Sequence, residues 1–146
     1  MKNLTFKLLS LLSLLLLWGC PVKDGEYATL NGYFYVVEDT GIVELNHYKL
    51  IIPAEGGSIE KTILSVNDKV DFLKRGKNPE SFQAYLSEIE GDYTSYNING
   101  KTIKAYKRVL TVVAEPNNTR KKEAWLDFAN VFNIGGRMIV IQAAAK

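Results

Sequence analysis

Two reactive side-chain types are almost missing from this 146-residue chain, which holds one histidine, His47, and one cysteine, Cys20. Zinc centres built from several Cys and His ligands therefore have no residues to form them. A Ser-His-Asp or Cys-His arrangement would have to run through His47, which stands at the start of a strand-like run and reads as a surface or interface residue. No Gly-x-Ser-x-Gly, P-loop or Gly-x-Gly-x-x-Gly pattern occurs. The chain is therefore expected not to be an enzyme and to carry neither cofactor nor metal. Glycoside hydrolysis is the remote alternative, because two carboxylates about 5 to 9.5 Å apart meet only in the fold and leave no trace in sequence.

Long hydrophobic runs are also missing after the first eighteen residues, so no later segment suits a membrane span. Charge of one sign is scarce as well. The formal excess of +2 comes from Lys2 and Lys7, and a chain starting after residue 19 has 16 basic and 16 acidic residues. That balance argues against nucleic acid, which demands a concentrated positive footprint.

Met1 to Trp18 combines those two lysines with a Leu-rich block, Leu8 to Leu17. A charged start followed by a short apolar core is the pattern of an export signal, here residues 1–19. The block ends in Leu17-Trp18-Gly19-Cys20, which resembles the lipobox of bacterial lipoproteins, with Trp18 departing from the small or aliphatic residue usual there. The resemblance implies acylation of Cys20, export, and anchoring in the bacterial outer membrane, on its periplasmic or cell-surface face. Several acyl chains on one Cys hold a protein stably, where one chain does so only marginally. The alternative is an ordinary cleaved signal with a free thiol. Residues 20–31 form a polar tether. Its Lys23-Asp24-Gly25-Glu26 weakly resembles the surface-export signals of Bacteroidetes-type lipoproteins, or is a plain linker.

The remainder, residues 32–146, is long enough for one domain with a real core. Tyr33-Phe34-Tyr35-Val36-Val37 is β-prone and closes on Glu38-Asp39-Thr40-Gly41. Tyr48 to Ile52 is a strand that Pro53 ends, and Gly56-Gly57 supplies a tight reversal before the returning strand, Ser58 to Val66. Val70 to Leu73 is a further short run. Asn78, Pro79 and Glu80 then give helix-start signals, Phe82, Leu86 and Ile89 fall at i, i+4 and i+7, and Gly91 suits a stop. These features predict a helix over 79–90. Glu88, Glu90 and Asp92 near its end lack the loop pattern of a calcium site and read as a solvated face.

Asn99-Gly100 predicts a two-residue hairpin that sets Ile98 opposite Lys101, Tyr96 opposite Ile103 and Thr94 opposite Ala105. The other face then carries Asn97 with Thr102, Ser95 with Lys104, and Tyr93 with Tyr106. Two tyrosines across a ladder, beside Lys104, suit stacking on a sugar ring. The first reading of the pair is nonetheless an ordinary cross-strand contact. From Lys121 to Ala129, Ala124, Leu126 and Phe128 alternate with Glu123, Trp125 and Asp127, so a core-facing first set turns Trp125 outward. An outward Trp suits stacking on a ligand, unless the helix or the N-terminal strand covers it. Trp125, Tyr93, Tyr106 and Lys104 are the candidate ligand-binding residues.

The segments IIPAEGGSIEKTILSVND, VVAEPNNTRKKEAWLDF and MIVIQAAA, in that order, resemble the BACON domain, the Bacteroidetes-associated carbohydrate-binding often N-terminal module. The residues that carry the likeness are Gly56, Gly57, Ser58, Ser65, Asn67, Asn117, Asn118, Arg120, Ala124, Leu126, Phe128, Val140 and Gln142. Val70 and Phe72 stand where the family usually has a Trp, and the segment from Asn78 to Lys107 is an elaboration, so the chain resembles a divergent member. The resemblance implies a mostly β, immunoglobulin-like antiparallel β-sandwich of about seven strands without catalytic machinery. It also implies binding of glycan or mucin, or a spacer role. The expected function is a non-catalytic, lipid-anchored envelope module that binds glycan or a surface partner. The alternative is a structural or assembly subunit of an outer-membrane or adhesin complex, with an envelope protein as partner.

Overall fold

Alternation at period two runs through most of the chain after Tyr33, and the computed structural model, which describes residues 33–130 and 134–145, turns it into strands. In chain order these are β1 (Phe34–Glu38), β2 (Gly41–Glu44), β3 (Tyr48–Ile52), β4 (Gly57–Ser65), β5 (Val70–Gly76), β6 (Phe82–Leu86), β7 (Glu90–Ile98), β8 (Lys101–Ala114), β9 (Lys122–Asn130) and β10 (Ile134–Gln142). One sheet has the order β2-β1-β4-β8-β6, with β7 also paired to β8, and the other has the order β3-β10-β9-β5. The two face each other as an open, immunoglobulin-like β-sandwich. The expected signal over residues 1–19, Cys20 and the tether lie outside the described residues.

The core forms where the inward positions of both sheets meet. Phe34 and Val36 of β1, Ile63 of β4, and Leu110 and Val112 of β8 pack with Leu126 and Phe128 of β9 and Met138 and Val140 of β10, all buried. Each such side chain contributes roughly 1.5 to 3 kcal/mol when withdrawn from water. Phe72, standing where the family usually has a Trp, joins this core, with its ring centroid 5.5 Å from that of Phe128. The alternation in β9 behaves as read, with Ala124, Leu126 and Phe128 fully buried.

Three expectations need correction in detail. The described residues contain ten strands rather than about seven, partly because β6 occupies the segment expected to be helical. The pairing is not antiparallel throughout, since β3 runs parallel to β10, from Tyr48 opposite Met138 to Ile52 opposite Gln142. The helix over 79–90 shrinks to a three-residue 3₁₀ turn, Pro79–Ser81, and the chain then extends as β6.

The reason is that a spacing of four fits both periods. Phe82 and Leu86 are neighbours on a helix face, but they also share one face of a strand with Ala84 between them, and Phe82, Ala84 and Leu86 do turn inward while Gln83 and Tyr85 turn out. Pairing with β8, from Phe82 opposite Ala114 to Leu86 opposite Leu110, satisfies a strand edge that a helix would leave open. Asn78 makes no side-chain cap; its N–H donates to the Glu123 carbonyl instead, at 3.0 Å. Gly91 is a left-handed residue (φ 74°) inside an irregularity at the start of β7, not a helix stop.

Three of the residues that carry the BACON-like resemblance, Gly56, Asn117 and Gln142, hold loops together. Gly56 has φ 76°, and a Cβ there would lie 2.4 Å from the Ala114 carbonyl oxygen. Asn117, 1 % exposed, donates from Nδ2 to the carbonyls of Arg120 and Ala143, both at 2.9 Å. Gln142 is fully buried and donates to the Glu115 carbonyl at 2.7 Å. The buried side chains of Asn117 and Gln142 thus tie strand ends and face no open surface.

Candidate functional site

The hairpin adopts the register read from Asn99-Gly100, whose φ angles of 52° and 78° are those of a type I′ turn. Its inner pairs, Ile98, Tyr96, Ile103 and Ala105, pack against Tyr35, Val37, Ile42 and Leu64 in a second apolar cluster. Tyr35 and Leu64 alternate with the core residues Phe34 and Ile63, so this cluster lies on the face of the first sheet turned away from the sandwich core. The hairpin is thereby fixed to the domain by burial.

Its opposite face is open. Ser95, Asn97, Thr102 and Lys104 are exposed, and Tyr93 is 41 % exposed. The rings of Tyr93 and half-buried Tyr106 stack with centroids 4.6 Å apart, tilted by 32°. Glu90 and Lys107 pair at 3.2 Å at the base of the ribbon. The result is a tilted aromatic pair bordered by hydroxyl, amide and ammonium groups, a set that can hydrogen-bond a polyhydroxylated ring and cover its apolar face.

Trp125 is placed elsewhere, on the outer face of the second sheet, with Arg75 opposite on β5 and Ile139 opposite on β10. It is half-buried, and what covers it is neither the expected helix nor the first strand. The Arg137 guanidinium lies over the indole at 4.5 Å from its centroid, and the indole N–H donates to Glu123 at 3.3 Å. Arg137 is itself held by Asp127, 1 % exposed, through Nε at 2.6 Å and Nη2 at 3.0 Å. That hydrogen-bonded pairing raises the Arg137 pKa above its ordinary value. Arg75 Nε approaches the same carboxylate at 3.8 Å. Exposed Ile51 and Leu73 flank this cluster on the two edge strands of the sheet.

The four candidate residues therefore divide between two surfaces. Tyr93, Tyr106 and Lys104 come together on the hairpin, and Trp125 joins two arginines on the other sheet. His47 is a turn residue at φ 63° whose backbone N–H donates to the Arg137 carbonyl. Cys20 lies outside the described residues. Among the described residues no group of three His, Cys, Asp or Glu side chains is placed to hold a metal.

One polar constellation escaped the sequence reading. Glu38 of β1 accepts from both Tyr48 of β3 and Lys61 of β4, the Lys61 Nζ sitting 2.9 Å from each carboxylate oxygen. These contacts join the two sheets at one open edge. At the other, Lys74 of β5 donates to the Phe82 carbonyl of β6 at 2.9 Å. The Lys61 and Tyr48 hydrogen bonds hold the Glu38 carboxyl below its usual range, the Glu38 hydrogen bond pushes Lys61 up, and burial followed by the Glu38 contact pushes Tyr48 up. No spacing signal marks such a trio, because its members lie on three strands.

An open β-sandwich with a clamped outer hairpin is thus the class of protein at hand. No family model matches the chain, and no curated protein does. Among solved structures it is similar to a Bacteroides ovatus GH5 xyloglucanase in complex with a XXXG heptasaccharide, at TM-score 0.49 and 10 % identity over 77 % of this chain, which spans 19 % of that enzyme. It is also similar to a Bacteroides thetaiotaomicron protein solved by NMR, at TM-score 0.41 and 18 % identity over 88 % of this chain and 99 % of that one. A third is WR4, a C. elegans MSP family member, at TM-score 0.39 and 17 % identity over 66 % of this chain and 92 % of that one.

Proposed function

We propose that this chain is a non-catalytic, BACON-like module, lipid-anchored through Cys20 in the bacterial cell envelope, that recognises glycan on the open face of its β7–β8 hairpin. The observation that carries the reading is the Tyr93–Tyr106 stack, 4.6 Å between centroids, on a ribbon whose outward Ser95, Asn97, Thr102 and Lys104 are all exposed and polar. The apolar cluster behind it keeps the ribbon rigid, so little ordering cost falls on a ligand. Stacking on such rings is tolerant of sugar identity, and those four side chains supply the polar contacts.

A glycan array or a mucin pull-down with the full chain tests the proposal. Binding that Tyr93→Ala weakens about tenfold and Trp125→Ala leaves unchanged is the expected result. No binding by the unaltered chain sinks it.

A second reading, an assembly subunit, draws on the Trp125 surface. A Trp and an Arg at the centre of a sheet face, with exposed Ile51 and Leu73 beside them, match the composition of protein contact surfaces. Crosslinking in the native membrane, with capture of an envelope protein that Trp125→Ala and Leu73→Ser both abolish, would favour this reading over the first.

A further inference from the structure

The hairpin face does not end at the tyrosines. On β8, Lys104, Tyr106 and Arg108 are two residues apart and share one side, and regular pairing with β4 (Ser65 opposite Tyr106, Ile63 opposite Arg108) keeps that alternation intact up to Leu110 of the core. Arg108 therefore lies roughly 7 Å along the strand from the Tyr106 position, at the end of the sandwich. There it lines an open cleft of about 480 Å³ with Asp68, Lys69, Val70, Asp71 and Glu88, bordered by the paired ends of β5 and β9 at Ala129 and Asn130. Ligand sites commonly measure about 300 to 1,000 Å³.

The walls of this cleft are built rather than incidental. Arg108 donates from Nη1 to the Ser87 carbonyl at 2.8 Å and from Nη2 to the Asp68 carbonyl at 2.6 Å, tying the kink between β6 and β7 to the β4–β5 turn. Ser87 is locked in turn, its Oγ accepting from the Val109 N–H at 2.8 Å and its N–H donating to the Val109 carbonyl at 2.8 Å. Arg108 thus acts as a brace for the cleft wall, with both Nη donors engaged and Nε buried. Asp68 and Glu88 enter no ion pair among the described residues, so their carboxylates remain free acceptors at the rim.

We infer that this cleft is a sugar subsite continuous with the Tyr93–Tyr106 step, taking a neutral, hydroxyl-rich ring whose hydroxyls donate to the rim carboxylates of Asp68, Asp71 and Glu88. This rests on the glycan reading above and adds the class of sugar. Three carboxylates against Lys69 and Arg108 leave the cleft one negative charge in excess, so a sugar bearing its own carboxylate is disfavoured.

The test uses the full chain on immobilised neutral oligosaccharides and on the same oligosaccharides ending in a uronic acid, comparing the unaltered chain, Tyr93→Ala, and the double variant Asp71→Asn with Glu88→Gln. Both changes in the double variant are isosteric, and the amide oxygen introduced by Asp71→Asn still accepts from the Phe72 N–H, as Asp71 Oδ1 does in the unaltered chain. Neutral ligands should bind about three- to tenfold more tightly than acid-ended ones. The double variant should weaken neutral binding and bring that ratio close to one, whereas Tyr93→Ala should weaken both ligands with the ratio unchanged. If Tyr93→Ala abolishes binding while the double variant alters neither affinity nor ratio, the cleft is overturned and the glycan reading stands. If the unaltered chain binds no member of either set, both are overturned.

Discussion

Arg137 closes on Asp127 through two parallel hydrogen bonds, 2.6 and 3.0 Å, while its guanidinium roofs the Trp125 ring. The two partners are unequal in burial, since Asp127 side-chain atoms are fully covered and Arg137 is 31 % exposed. Removing one should therefore cost more than removing the other. Arg137→Ala strands a buried carboxylate with only Arg75 near it and should destabilise by about 3 kcal/mol. Asp127→Asn leaves cations that water can still reach and should cost nearer to about 1.5 kcal/mol. Urea unfolding gives both values, and a red shift of Trp fluorescence in Arg137→Ala alone would report the uncovered indole.

The Glu38, Lys61 and Tyr48 trio predicts a two-sided pH dependence. A depressed Glu38 pKa contributes stability that is present above the unfolded carboxylate value, about 4.3, and is lost as pH falls through the folded value. A raised Lys61 pKa contributes stability that is present below about 10.4 and is lost as pH rises through the folded value, and Tyr48 acts in the same direction. Glu38→Gln should therefore cost up to about 1 kcal/mol at pH 7, because the pair is about a quarter exposed. The difference from the unaltered chain should vanish at the acid end, and unfolding curves across pH check it.

Gly56 is held where no other residue fits. A Cβ would meet the Ala114 carbonyl at 2.4 Å, and the backbone stands at φ 76°. Gly56→Ala should lower stability by about 2 to 4 kcal/mol, combining left-handed strain with displaced backbone. Gly100→Ala in the hairpin turn also has positive φ but open space around its Cβ, so it should cost about 1 to 2 kcal/mol. A thermal melt that ranks the two the other way would contradict the packing argument.

Asn117 and Asn118 are adjacent and chemically identical, yet only Asn117 is buried. Asn117→Ala abandons the Arg120 and Ala143 carbonyls and the Thr119 donors, and should cost about 2 to 4 kcal/mol. Asn118→Ala should stay within about 0.5 kcal/mol. Denaturant midpoints for the pair give the comparison directly.

Sequence and structure agree most closely where the determinants are local. Asn99-Gly100 needs only its own two φ angles to set the hairpin register, and the strict alternation of Ala124 to Phe128 needs only the pleat to divide the inner from the outer face of the sheet. They part at Pro79 to Glu90. Phe82 and Leu86 satisfy a helix and a strand alike, and the arbiter is the open edge of β8, more than twenty residues later in the chain. Trp125 is legible as outward-facing from its neighbours alone. Its cover is not, because Arg137 reaches it from a neighbouring strand and Asp127 aims that arginine.

By itself the sequence determined the class: period-two apolar patterning with turn residues between runs permits little except a two-layer β fold. Only the tertiary structure decided which aromatics lie on an open face. Tyr93 stays exposed beside half-buried Tyr106 because the other face of their hairpin is buried against Tyr35 and Leu64, while the Trp125 ring lies beneath a guanidinium. The cleft at Arg108 belongs to the same category. Its walls come from the β4–β5 turn, the kink after β6 and the end of β9, and their meeting is a property of how the two sheets pack rather than of any single stretch.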